Sequence, residues 1–593
     1  MKITKLESIV ALTKRHRWWC SSFRFTLRRL GLARHTEINK IARNVKIMCQ
    51  CILLMLLSIV SVPSFAFQAD EPYKISHEFD SNTDAENFEI TPDGKRVVYF
   101  VRTRGIGTHL YSVSIGGGKA INLTPELELQ DGLIKGFKIS PDSSKVVYQL
   151  TLTAGKGESI HLVNIDGSGY QQLAATETQD VDARILRFLI SSDSSRIAFT
   201  LFKIGSTRPR LYYSKLIPPY NSGRVGISQG FTSVENDFEF LPGYNSLIYR
   251  ADVVVENMVE LFISSTDTPN DLTRINVPLD VGGDVEALAD GSPAFSISSD
   301  GKYVVYKADA EKANVTDLYS TQIINGSGIG ARKKLNSNNL AIDENVFRHL
   351  ISPDNSRVIY VSDEGNDTHF VLFSVPIDGG ASAIRISHEF PTGTIPAVRD
   401  IHLSPDSETV VYFAEDKLYS SNIFNIESPV PLTPTLFYFP EVSFDRSGKT
   451  VVYLSRHGSA LKNEIYRVSI NGSNNVALSR FKDDDQNTLG FLVDKNSNRV
   501  LYIGDERVKN QFEFFGGSTE TVNVNVPLAP NFTNSPDADV VDSRLSADGQ
   551  YFIYRADQDE DEKFELYAVK FLPDDDICFP IKAKNTKVAM VCL

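Results

Sequence analysis

Short runs of β-branched and aromatic residues recur along this chain, each following a polar turn. No amphipathic helical spacing separates them. One phrase, Ile139-Ser140-Pro141-Asp142-Ser143-Ser144-Lys145-Val146-Val147-Tyr148, returns as Ile351-Ser352-Pro353-Asp354-Asn355-Ser356-Arg357-Val358-Ile359-Tyr360 and again from Leu403 to Tyr412. A phrase repeated at a fixed period is one supersecondary unit copied many times. The turn Asp or its equivalent falls at Asp93, Asp142, Asp193, Asp300, Asp354, Asp406, Asp445, Asp494 and Asp548. A degenerate copy, Leu241-Pro242-Gly243-Tyr244-Asn245-Ser246, fills the wide gap after Asp193, which makes ten copies. The period is roughly 50 residues, enough for a four-stranded blade with generous loops.

Each copy has the same physical logic. A short apolar strand enters the turn, where Pro presets φ, Asp bonds the backbone ahead, and Gly, Ser or Asn tolerates the reversal. A run such as Val304-Val305-Tyr306 follows, dense enough in Val and Tyr for a strand buried on both faces. A second aromatic strand comes next, as at Leu110-Tyr111 or Leu566-Tyr567, then a Gly-containing turn and a short edge strand ending like Leu123-Thr124. Four strands per copy predict an all-β chain, a β-propeller of about ten four-stranded blades.

The Ser-Pro-Asp-Gly-Lys turn, the Val-Val-Tyr and Leu-Tyr strands and the Leu-Thr ending resemble the TolB-type, WD40-like propeller repeat over about residues 73–572. The Trp-Asp signature of WD40 blades is missing, since the only tryptophans are Trp18 and Trp19. Such repeats occur in TolB, a periplasmic binding protein, in propeller domains of the prolyl oligopeptidase family and in many bacterial surface proteins. The resemblance therefore implies a fold and leaves the activity open.

Tyr73-Lys74-Ile75-Ser76-His77-Glu78-Phe79 precedes the first full copy and matches Ile384-Arg385-Ile386-Ser387-His388-Glu389-Phe390, the last strand of a later copy. The final copy ends at Phe571 without such a strand. The N-terminal segment is thus expected to supply it and close one ring, which removes an open sheet edge. Two smaller rings are the alternative.

Residues 1–47 are strongly basic, the apolar stretch Cys51–Val62 follows, and Pro63-Ser64-Phe65-Ala66 has the small residues of a cleavage site. This is the pattern of a secretory signal, with an apolar core too short for a comfortable span. The expected division is signal 1–66, propeller 67–572 and a C-terminal hairpin 573–593, in a periplasmic or extracellular protein with no stable membrane insertion after cleavage. Removing 12 Lys and Arg and two acids with the signal leaves 49 cations against 72 carboxylates, a net charge of −23. That balance argues against nucleic acid as a partner. Of five cysteines, only Cys578 and Cys592 remain, placed symmetrically about Asn585 in a strand–turn–strand pattern. In an oxidising compartment they are expected to form a disulfide.

Chemistry is sparse. No Gly-x-Ser-x-Gly elbow, His-Glu-x-x-His pair or phosphate-binding loop occurs, and Gly116-Gly117-Gly118 reads as a hairpin turn. His77-Glu78 and His388-Glu389 sit on expected strands, where neighbours point to opposite faces. The eight histidines after the signal are scattered over the copies, and a central channel could still gather some. Asp557, Asp559 and Asp561 alternate like the start of a calcium loop, but no Gly follows Asp561 and Glu565 arrives too early for an EF-hand. A solvated hairpin tip is the blander reading, as it is for Asp483–Asp485 and Asp574–Asp576. No catalytic or cofactor-binding residue stands out. The preferred reading is a non-catalytic scaffold binding a protein, peptide or glycan. The alternative is a propeller enzyme, a polysaccharide lyase or hydrolase with its site in the channel.

Overall fold

The chain divides into two units, residues 1–66 and 67–593. The computed structural model describes residues 69–571, apart from short stretches within connections, and the backbone of 578–581 and 589–592. The signal-peptide reading and the two triple-Asp turns fall outside the described residues.

Ten four-stranded antiparallel sheets follow one another as the blades of a propeller. Blades 1 to 9 span 83–122, 132–175, 183–226, 233–274, 295–334, 346–385, 399–431, 441–477 and 488–527. In each, the strands pair in chain order, with the first innermost. Blade 10 joins three strands within 540–570 to Tyr73–Lys74. Ten apolar clusters each straddle two neighbouring blades, including one that joins blade 10 to blade 1 through Ile553, Leu566, Phe88 and Val97. A cluster at every junction makes one ring and excludes two.

The second strand of each blade is the hub. Its β-branched residues face two blades at once, and both faces are dry: Val97, Val98 and Tyr99 are fully buried, as are Val410, Val411 and Tyr412. The aromatic in this strand pairs directly with an aromatic or His in the third, from Tyr99 opposite Tyr111 to Tyr554 opposite Tyr567. Ring centroids in these pairs lie 5.2 Å apart at Tyr360–Phe373 and 5.9 Å at Tyr99–Tyr111, offset-stacked distances.

The repeated turn phrase is a hydrogen-bonded lock. Ser140 Oγ donates to Asp142 Oδ1 at 2.6 Å and accepts the Lys145 N–H at 2.9 Å, while Asp142 Oδ1 accepts the Ser144 N–H at 3.0 Å. The residue after the Asp is left-handed, with φ of +70° at Gly94 and +63° at Ser143. Where this residue is not Gly it ties blades together. Ser143, Ser194 and Ser407 each accept the turn-Asp N–H of the preceding blade at 3.0 Å, and Asn355 accepts the Ser299 N–H at 2.9 Å. The lock is rearranged in blades 8 and 9. Asp445 and Asp494 take the place of the serine, accepting the N–H of Thr450 and Asn496, and are buried.

The closure forms as the sequence match requires. Ile75 and Ser76 N–H donate to the Leu566 carbonyl at 2.9 and 3.3 Å, and Ile386 and Ser387 N–H donate to the Leu372 carbonyl at 2.8 and 3.3 Å. The polar half of the Leu-Thr ending has a use as well. Thr124 Oγ1, Ser387 Oγ and Ser76 Oγ each accept the N–H of a third-strand residue: Leu110, Leu372 and Leu566. The backbone of the C-terminal hairpin pairs Cys578–Ile581 with Ala589–Cys592, with Cys578 opposite Cys592. Its side chains lie outside the described residues.

Candidate ligand-binding surface

The innermost strands form the wall of the channel, and eight of them are bulged. The register slips between Ala85 and Phe88, Ile134 and Gly136, Ile185 and Arg187, Val234 and Phe238, Val346 and Arg348, Arg399 and Ile401, Thr488 and Gly490, and Val540 and Asp542. A bulge adds an unpaired residue and re-aims its side chain. Each begins in the first half of its strand, away from the Ser-Pro-Asp turns. Successive strands alternate in direction, so the bulged residues mark the channel mouth opposite the turn end.

These positions are chemically uneven around the ring. Toward this mouth, Leu133 on blade 2, Leu186 on blade 3, Leu489 on blade 9 and Val541 on blade 10 are exposed, from 45% to 57%. Blades 9, 10, 1, 2 and 3 form one continuous arc across the closure. Blades 6, 7 and 8 instead present Arg348, Arg399 and Glu441 there. Charges on the wall are clipped between blades: Arg187 Nη2 lies 2.6 Å from Glu239 Oε1, with its guanidinium over the Phe238 ring. The Arg544 guanidinium lies over Phe88 across the closure. Burial raises the Glu89 carboxyl, with Lys138 and Arg544 partly offsetting it, and burial raises Glu441.

Of the residues singled out for calcium, Asp557 and Asp559 lie in the connection after Tyr551–Ala556. Asp557 is buried and accepts the Glu562 N–H at 3.1 Å, as Asp309 accepts the Asn314 N–H at 3.1 Å in blade 5. Asp559 lies beside Tyr567, whose hydroxyl is held protonated by burial first, then by Glu565 and Asp559. Asp561 falls outside the described residues. Among the described residues, no group of three or more His, Cys, Asp or Glu is placed to hold a metal ion.

The described histidines have separate surroundings. His77 and His388, expected on strands, follow the short outer strands and occupy equivalent places: Nδ1 of each meets the hydroxyl of Tyr99 or Tyr412, at 3.0 and 3.3 Å. His161 stacks between Tyr148 and Tyr170, and burial lowers its pKa to about 4. His349, on the inner strand of blade 6, is buried and its pKa falls to about 3, by burial and then by Lys307. The bulged wall was missed from sequence, although a signal was present. Buried Ile134 and Phe137, like Ile185 and Phe188, are three apart, a spacing no straight two-residue strand gives.

No protein-family model matches the chain, and no curated protein matches it. Solved structures of propeller-like proteins do. A eukaryotic initiation factor is 12% identical, with 68% of this chain and 90% of that chain covered and a TM-score of 0.38. An oligogalacturonate lyase in complex with manganese is 14% identical, with 60% and 98% covered and a TM-score of 0.31. A prolyl endopeptidase is 12% identical, with 72% and 53% covered and a TM-score of 0.34, so this chain spans about half of that protein's length. At these identities the neighbours assign no activity to this chain. The chain is a ten-bladed β-propeller.

Proposed function

We propose that this chain is an exported, non-catalytic binding propeller of the TolB type, which grips a protein, peptide or glycan at the bulged mouth of its channel. The carrying observation is a set of exposed apolar side chains at the bulged mouth. Exposed Leu133, Leu186, Leu489 and Val541 stand on the inner strands of blades 2, 3, 9 and 10, interleaved with charges such as Arg187 and Arg544. Water-facing apolar side chains on a rigid inner sheet lose water when a ligand covers them, while the clipped charges set its orientation. The net charge of −23 after the signal supports a partner that is not a polyanion.

The test immobilises the exported chain and captures ligands from the extracellular fraction. A Leu186→Asp, Leu489→Asp double variant with unchanged melting should lose the captured species. Retention by the variant sinks the channel-mouth reading. Time-dependent release of unsaturated or reducing ends from a polysaccharide panel would favour a channel enzyme instead.

A further inference from the structure

The degenerate turn of blade 4 builds a different surface at the other end of the ring. Leu241-Pro242-Gly243-Tyr244-Asn245-Ser246 keeps the backbone bonds of the repeated turn: Leu241 N–H donates to the Ser246 carbonyl at 2.9 Å and Tyr244 N–H to the Leu241 carbonyl at 3.1 Å. The Ser–Asp lock is gone, and Gly243 takes the left-handed φ, +76°, one residue early. A tyrosine therefore stands where Gly, Ser or Asn stands in other blades, without the strain of a left-handed bulky residue. Its ring leans onto blade 5 against two glycines. A Cβ on Gly301 would meet the Pro242 carbonyl at 2.6 Å, and one on Gly326 would run into the ring itself.

Behind the ring lies a depression of about 400 Å³, walled by Asp193 of blade 3, Tyr244, Asn245 and Asp267 of blade 4, and Asn325 and Ser327 of blade 5. Its polar groups are fixed from below. Arg196, largely buried, holds Asp267 at 2.5 Å and reaches Asp193 at 3.8 Å, and Asn245 Nδ2 donates to Asp267 Oδ2 at 3.2 Å. Tyr244 remains 40% exposed.

We propose that this depression is a subsite for a neutral saccharide. It rests on the reading of the chain as a binder and adds a second site away from the channel mouth. A volume of this size suits one or two sugar rings. One exposed aromatic face matches the apolar face of a pyranose, and carboxylate, amide and hydroxyl groups match its hydroxyls. Two carboxylates at the rim repel acidic sugars and other anions. A lone aromatic amid polar groups gives an apolar peptide side chain little to bury.

The test titrates the full exported chain with maltopentaose, cellopentaose and xylopentaose, with trigalacturonate as the acidic control, by calorimetry and saturation-transfer NMR. At least one neutral probe should bind, about tenfold or more weaker to Tyr244→Ala and Asp267→Asn, and undiminished to Tyr244→Phe and Leu489→Asp. If Tyr244→Ala does not fold, Asp267→Asn carries the test, since it keeps the shape of the site. Saccharide binding that survives both pocket substitutions overturns this site, and loss in Leu489→Asp instead would move it to the channel and leave the binder reading standing. Equal or tighter binding of trigalacturonate overturns the neutral class. No binding of any neutral probe overturns the proposal, while the channel-mouth capture experiment stands or falls separately.

Discussion

Removing residues 67–80 should open the ring. The segment places Ile75 and Phe79, 1% and 6% exposed, in the cluster between blades 10 and 1. Truncating such side chains to Ala costs about 2–5 kcal/mol each, through lost transfer energy and the cavity left behind. The segment also brings the two N–H groups bonded to the Leu566 carbonyl, and Tyr73 Oη, which donates to the Ile115 carbonyl at 3.0 Å. Each such bond contributes about 1 kcal/mol. Lys74 Nζ lies 2.6 Å from Glu565 Oε1, whose side chain is 2% exposed. Stripping a buried carboxylate of its cation costs about 3–5 kcal/mol. Any one of these is a sizeable part of the roughly 5–15 kcal/mol that holds an ordinary domain. The deletion removes all of them and exposes the edge of Glu565–Lys570.

Guanidinium unfolding followed by tryptophan-independent far-UV signal is the assay, with aggregation followed by light scattering. The deleted chain should aggregate or unfold at a much lower midpoint, and a synthetic peptide of residues 67–80 added in trans should restore it. Ile75→Ala in the full chain should lose about 2–5 kcal/mol, matching Ile386→Ala at the equivalent place in blade 6. A deleted chain with the midpoint and slope of the full chain would refute the closure.

Three further outcomes follow from the turns and the tail. Ser143→Ala loses the bond to the Asp93 N–H while keeping the left-handed strain, whereas Ser143→Gly loses the bond and relieves the strain; thermal melts should place both below the unaltered chain and rank Ser143→Ala below Ser143→Gly, and an Ala variant as stable as the unaltered chain would contradict the lock. The carboxyls of Asp93, Asp142, Asp193, Asp300, Asp354 and Asp406 sit below their ordinary values: burial pushes each up, but the hydroxyl and N–H donors of the turn, and at Asp406 first the Lys449 ammonium, outweigh it. Their stabilisation is complete above the unfolded carboxylate value near about pH 4 and fades as pH falls through the folded values, so melting temperature should drop steeply below about pH 4, and less steeply in Asp142→Asn. A disulfide between Cys578 and Cys592 would close a loop of about 15 residues, worth about 3 kcal/mol locally; mass spectrometry should find both thiols blocked and Cys578→Ser should raise protease sensitivity of the tail alone, whereas two free thiols in protein purified without reductant would refute the pairing.

The turn phrase, the Val-Val-Tyr strands and the match between Tyr73–Phe79 and Ile384–Phe390 determined ten blades and the way the last one closes. They could do so because a blade is local: its φ requirements, its two-residue alternation and its aromatic pair all lie within about 50 residues of chain. The degenerate copy at Leu241 counted correctly as a blade for the same reason. Tertiary structure decided what depends on neighbours. One ring rather than two rests on apolar clusters between blades, whose residues carry no mark of which partner they meet. Only the fold shows that Asp557 accepts the Glu562 N–H, and that Asp445 and Asp494, which read like turn aspartates, occupy the serine's place. The bulged channel wall and the pocket beside Tyr244 also exist only once the blades are set side by side, because each is lined by residues from several blades that the chain keeps dozens of positions apart.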